Sequence, residues 1–161
     1  MRFFEYLSQN QKDLIKEGKY LMDGIISDHA YQFTDYSFLV FPFAKTYEGF
    51  LKKLFKERKF ISHLDYISDH LRLGKLLSPK LINRLGDKSL YKKISQIDPA
   101  LAENIWQTWV IGRNKIFHYF PHNVKAVSFT EAEEIITRIL DTMEETFSKL
   151  KIQSSNVKTT T

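Results

Sequence analysis

Apolar residues recur along this chain at helical spacing, and four stretches carry the pattern far enough to predict long helices. In residues 3–27, Leu7, Leu14, Gly18, Leu21 and Ile25 share one stripe, with Ile15, Met22 and Ile26 beside it, the spacing of a half-buried helix. Ser27-Asp28-His29 ends it. A second helix spans about 35–58, with an aromatic start (Tyr36, Phe38, Phe41, Phe43) and an apolar face of Ala44, Tyr47, Leu51, Leu54 and Phe55. Pro42 predicts a kink or a late start there, because it lacks an N–H and clashes one turn back. A third helix begins at Asp98-Pro99, a capping acid followed by proline at the first helical position. Its stripe is Leu101, Ile105, Trp109, Gly112 and Ile116, and Pro121 predicts an end near residue 120. The fourth starts from a capping box, Thr130-x-x-Glu133, with Glu131 and Glu134 also in the first turn. Ala132, Ile136, Ile139, Met143, Phe147 and Leu150 carry it to about residue 151.

Residues 59–97 are broken into short pieces. Ser62-x-x-Asp65 opens one, Gly74 is a plausible stop, Ser78-Pro79 opens another, Gly86 closes it, and 88–95 adds a turn or two. Residues 153–161 are polar and read as a flexible tail. No internal repeat and no alternating strand pattern is present. The expected fold is all-α: an antiparallel up-down four-helix bundle with a short helical insertion between the second and third long helices, one domain over residues 1–152.

Charge changes the picture. Residues 51–93 hold 12 Lys/Arg against 4 Asp/Glu, while the segments before and after it are slightly acidic, so the net charge of +5 sits in the insertion and its approach. A basic sector on a near-neutral body suits a polyanion binder and equally a lysine-rich solvated surface. The absence of cysteine removes disulfide, thiolate and Cys-type zinc chemistry. The N-terminus lacks a signal-peptide core, and the densest apolar run, 38–44, is too short to span a bilayer. A soluble, cytoplasmic protein with no membrane partner is the default.

The candidate chemistry lies in residues 112–121, GRNKIFHYFP. On a continuous helix Asn114 and His118, four apart, would stack, and Arg113 would sit about 140° round the axis from His118, within reach of the same edge. A histidine in a last helical turn gains from the dipole as imidazolium, which suits a group that cycles its proton. Arginine offers a planar, permanently charged fork for phosphate oxygens. Arg and His without a strong nucleophile or metal ligands fit RNA cleavage by the RNA's own 2′-hydroxyl. The substrate supplies the nucleophile, histidine the base or acid, and arginine the counter-charge for the phosphorane. One histidine per chain leaves one proton carrier missing, which a two-fold dimer would supply.

Arg113, Asn114 and His118, late in the third long helix, resemble the Arg-x(4–6)-His motif of the HEPN superfamily of small helical-bundle ribonucleases, in which a polar residue, commonly Asn, often follows the Arg. Bundle order and length resemble that family over most of the chain; the motif itself covers about six residues. The resemblance implies a metal-independent endoribonuclease acting at a dimer interface, often as a toxin or antiviral defence effector, with no cofactor and with a possible cognate antitoxin or regulatory protein. Residues 44–53, AKTYEGFLKK, are similar to the RNase LS-like toxin branch. One departure concerns control: some toxins of this kind paired with a nucleotidyltransferase antitoxin carry Tyr two residues after the His, where this chain has Phe120, with Tyr119 one residue early.

On this reading Arg113, His118 and Asn114 are catalytic. Lys115 and the basic sector, Lys52, Lys53 and Lys56 included, draw in RNA. Glu48, on the edge of the inward face of the second helix, reads as the partner of a basic side chain ahead of a catalytic group, and pairing with Arg113 or His118 would orient either one. Tyr119 could stack a base. A second match to the spacing, Arg58-x4-His63, has Lys59 in place of Asn and leaves a lysine-rich helix exit, so context rejects it. No metal site is expected: Pro121 separates His118 from His122, and His63 and His70 read as a solvated face. Trp106 and Trp109 read as core or dimer contacts. The competing readings are a surface or capping role for His118, a non-catalytic HEPN-like module that binds nucleic acid or a partner protein, and an adaptor for an acidic partner through residues 51–93.

Overall fold

The computed structural model describes residues 1–28 and 31–152; His29 and the tail expected at 153–161 lie outside the described residues. Among these the chain is all-helical, without a strand. The helices are α1 (Phe3–Tyr6), α2 (Gln9–Ser27), α3 (Ser37–Glu57), α4 (His63–Ile67), α5 (Leu73–Leu76), α6 (Ile82–Leu85), α7 (Leu90–Ser95), α8 (Pro99–Trp109) and α9 (Phe129–Ile152), with 3-10 turns at Pro79–Leu81, Gly86–Lys88 and Pro121–Asn123. No helix among the described residues is long and apolar enough to cross a membrane.

The first predicted helix is two. Ser8 accepts from Gln11 N while Gln11 Oε1 accepts from Ser8 N, a capping box that starts α2 afresh. α1 instead lies on α9, where Phe3 N donates to Glu144 Oε2 at 3.1 Å. The last helix also starts earlier than expected. Ser128, not Thr130, forms the box, exchanging bonds with Glu131. The Ser62/Asp65 box and the Asp98 cap stand where the sequence puts them. So does Gly86, whose φ of 53° at the end of α6 belongs to the left-handed region that glycine enters freely. Gly74 does not stop a helix; it lies inside α5.

α3 is the central element and packs against both α2 and α9. It runs through Pro42 without a break. A proline there costs about 3 kcal/mol, but Leu39, Val40 and Phe43 around it are fully buried, at about 1.5–3 kcal/mol each. Packing outweighs the local penalty. Tyr47, also buried, donates its hydroxyl to Ile105 O of α8 at 3.1 Å. α8 is joined to α9 by buried Thr108 and Thr142, 2.9 Å apart, with Arg138 Nε donating to Thr108 Oγ1. α7 lies on α8, and α4 on α3, so the basic insertion is folded onto the face that carries the ends of α3 and α8.

Candidate active site

α8 ends at Trp109, and the chain widens into a π-helical turn over Val110–Asn114. Lys115 N donates to Val110 O at 3.0 Å, five residues back. Gly112 lets α9 approach this turn closely, because a Cβ there would stand 2.8 Å from Ile139 Cδ1. After one further bond, Phe117 N to Arg113 O, the helix is over and residues 118–120 have no regular structure. The helix expected to reach residue 120 therefore stops earlier, and Asn114 and His118 are not an i, i+4 helical pair. Distant contacts fix both ends of the segment. Ile139 holds Gly112, and Asp35 at the entry to α3 holds Asn123 and Val127 through bonds from Asn123 Nδ2 (2.9 Å) and Val127 N (3.3 Å). The chain leaves the helix to span them. Phe120 is extended ahead of Pro121, as the pre-proline position requires.

Asp35 also accepts from Ser37 N and Ser37 Oγ. Burial alone would raise its pKa, but the hydrogen bonds from Ser37, Asn123 and Val127 outweigh burial and hold the carboxyl below its ordinary value.

Arg113 is half-buried and held on three sides. Its Nε lies 3.8 Å from Glu48 Oε2, and its guanidinium is 5.6 Å from the Trp109 ring centroid and 5.4 Å from that of Phe117. Phe117 in turn lies 5.3 Å from Phe41. Glu48 also binds Lys52 at 3.0 Å. Glu48 thus pairs with Arg113, as one sequence expectation has it, and not with His118. Partly exposed ion pairs and cation–π contacts are worth about 1 kcal/mol or less each. Their effect here is to fix where the guanidinium sits more than to stabilise the fold.

Arg113, Asn114, Glu48, Lys52 and Trp109 line a cavity of about 520 Å³ whose far wall is Arg72, Gly74 and Lys75 of the insertion. Trp109 is 3% exposed, and its Nε1–H finds no acceptor among the described residues. It lies against Gly74, where any side chain would collide with it. His118 does not line this cavity. It is exposed past the π turn, without a side-chain hydrogen bond or ion pair among the described residues. Tyr119, next to it in the chain, is 78% exposed, and Phe117 and Phe41, in contact with each other, are also exposed. No group of three or more metal-ligating side chains converges among the described residues.

The basic residues expected to bind RNA divide. Lys52 belongs to the Arg113 cavity. Lys53 and Lys56 line a separate depression, where Lys53 Nζ sits 3.9 Å from the Tyr6 ring centroid and Lys56 Nζ 4.7 Å from that of Tyr66. Lys115 is exposed beyond the π turn. The rejected pair stays apart in role: Arg58 lies over Phe60, and His63 is the exposed first residue of α4. Sequence reasoning misses the aromatic cage, although Trp109-x3-Arg113-x3-Phe117 is a signal of helical neighbours. It also misses Arg72 and Lys75, which only the folding of the insertion brings to Arg113. Comparison with known proteins adds no family: no protein-family model, no curated protein and no solved structure matches this chain significantly.

Proposed function

We propose that the protein is a metal-independent endoribonuclease of the HEPN type, an antiparallel up-down four-helix bundle that works as a homodimer. The observation that carries this reading is the caged Arg113, a guanidinium oriented by Glu48, Trp109 and Phe117 at the wall of a basic cavity. A pre-placed guanidinium is what a pentacoordinate phosphorane needs, because its charge develops only in the transition state. His118 takes the 2′-hydroxyl proton, the 2′-oxygen attacks phosphorus, and the bond to the 5′-oxygen breaks. A second histidine protonates that oxygen. The products are a 2′,3′-cyclic phosphate and a 5′-hydroxyl. The second histidine is the equivalent residue of another copy, and the exposed Phe41/Phe117 pair, with Phe117 one residue before His118 in the chain, marks the face on which two copies would meet. Asn114 orients the phosphate. Such an activity suits a toxin or defence effector held silent by a partner.

One observation favours a second reading, a non-catalytic nucleic-acid or protein-binding module: His118 stands outside the cavity that Arg113 lines. Incubation of RNA with purified protein in EDTA separates the two. The ribonuclease cuts in EDTA, leaves 2′,3′-cyclic ends and loses at least a hundredfold in rate on His118→Ala. Full activity in His118→Ala, a requirement for divalent ions, or intact RNA in every arm rejects it.

A further inference from the structure

The cavity beside Arg113 does not end at the insertion. A second cavity, of about 550 Å³, shares Arg72 and Lys75 with it, so the two meet across α5. From there the second cavity extends to Lys88 and Lys93. Arg72, Lys75 and Lys88 are exposed, and none makes an ion pair among the described residues. Lys93 is fixed, donating to Phe60 O at 2.8 Å. The acid in this wall, Asp65, is already engaged in capping α4. The apolar floor is chiefly Leu71, Leu76 and Leu85, while Phe60 is already stacked on Phe55 and overlain by Arg58 and Lys93. Arg72 Nη1 donates to Asp69 O at 3.2 Å, and Asp65, Asp69 and Glu48 stand among the cations, which outnumber them. A rim with this cationic excess beside apolar side chains and a caged guanidinium suits a nucleic-acid strand whose phosphates lie on the rim and whose bases turn inward.

We infer that the two cavities form one track for unpaired RNA: the phosphate at Arg113, the next phosphates on Arg72 and Lys75, and a base on the Leu71/Leu76/Leu85 floor. The identity of the strand rests on the ribonuclease reading; the track itself does not. A duplex keeps its bases stacked and cannot fill the floor. Lys53 and Lys56 lie outside the track.

The probe is a fluorescent 12-nucleotide RNA with 2′-fluoro sugars, which binds but cannot be cut. It is compared by anisotropy with its duplex, with the same backbone stripped of bases, and with a polyglutamate peptide. Arg72→Gln/Lys75→Gln weakens single-strand binding about tenfold and reduces the slope of log K against log salt by about 1.4, two phosphates at 0.7 each. Lys88→Gln weakens it about threefold, and Lys19→Gln on α2 leaves it unchanged. Circular dichroism melting checks that each variant is folded. Equal binding of the duplex or of the base-free strand, tighter binding of polyglutamate than of RNA, or no effect of Arg72→Gln/Lys75→Gln overturns the track. If the wild type binds the strand through Arg72 and Lys75 but cuts no RNA, the track stands and the ribonuclease reading falls. If it cuts RNA, and Arg72→Gln/Lys75→Gln changes neither Kd nor KM, the reverse holds.

Discussion

Asp35 is the residue on which the geometry after Arg113 depends. It holds α3 through Ser37 and the returning chain through Asn123 and Val127, so the segment that carries His118 is anchored at its far end by this carboxylate together with the backbone bond from Tyr36 N to Val127 O. Because those bonds hold its folded pKa below the ordinary 3.8, the stability it contributes is present above that value and is lost as the pH falls through the lower, folded one. Asp35→Asn keeps the shape, loses the charge and must turn a donor toward one of the groups that now donate to it. In urea titrations the wild type is the more stable of the two at neutral pH, and the gap closes in acid. A gap independent of pH would show that the carboxylate form is not what matters. On the proposed ribonuclease reading a second effect belongs to the same residue: released from its clasp, the His118 segment loses its position, and the variant is expected to be slower on RNA even where it is fully folded.

At the scale of the element, the π turn is what separates this molecule from its own hydrophobic pattern. Gly112→Ala drives a Cβ to within 2.8 Å of buried Ile139. Overpacking of this kind costs about 1–3 kcal/mol, and the strain falls on the turn that aims Arg113. The expected outcome is a lower melting temperature and a loss of cleavage greater than the loss of folded protein. Ile139→Val, which removes Cδ1, restores part of both in the double variant; no restoration would place the damage elsewhere. The same element shows what a sequence can and cannot tell. Caps are local, and Ser62/Asp65, Asp98/Pro99 and Gly86 are legible because a side chain and the backbone a few residues on decide them. Where two boxes overlap, as with Ser128/Glu131 and Thr130/Glu133, spacing alone does not choose. At Ser8 the apolar stripe runs across the break and hides a box that is plain once seen. The π turn has no local signature, since it depends on how closely α9 approaches Gly112. Pro42 errs the other way, a local breaker overruled by burial. In the site, Arg113 and its partner Glu48 are legible from helix faces, while Arg72 and Lys75 reach Arg113 only through the fold of the insertion.

At the scale of the whole molecule, the described surface carries the proposed basic track on the insertion side, an exposed Phe41/Phe117 pair, and a second exposed aromatic cluster of Tyr31, Phe33 and Phe38. Phe41 is 46%, Phe117 40% and Tyr119 78% exposed, apolar surface that an interface between copies would cover. If a second copy covers them and lends its histidine, the dimer is the unit of activity. Adding an equal amount of His118→Ala protein to a fixed amount of wild type, with free exchange of subunits, then lowers the rate to about half, because random pairing halves the number of intact dimers. A rate unchanged by the added variant assigns both proton transfers to a single copy. Phe41→Glu, which puts a charge into the patch, should give monomers by sedimentation and abolish cleavage.

The indole of Trp109 gives the molecule an optical readout of its own site. It is enclosed, its N–H is unbonded, and its ring lies under the guanidinium of Arg113. A cation over an indole changes the emission of that indole, so a phosphate that draws Arg113 toward itself alters the colour and yield of Trp109 fluorescence. With Trp106 replaced by phenylalanine, the chain would report the arrival of an anion in its cavity without any label.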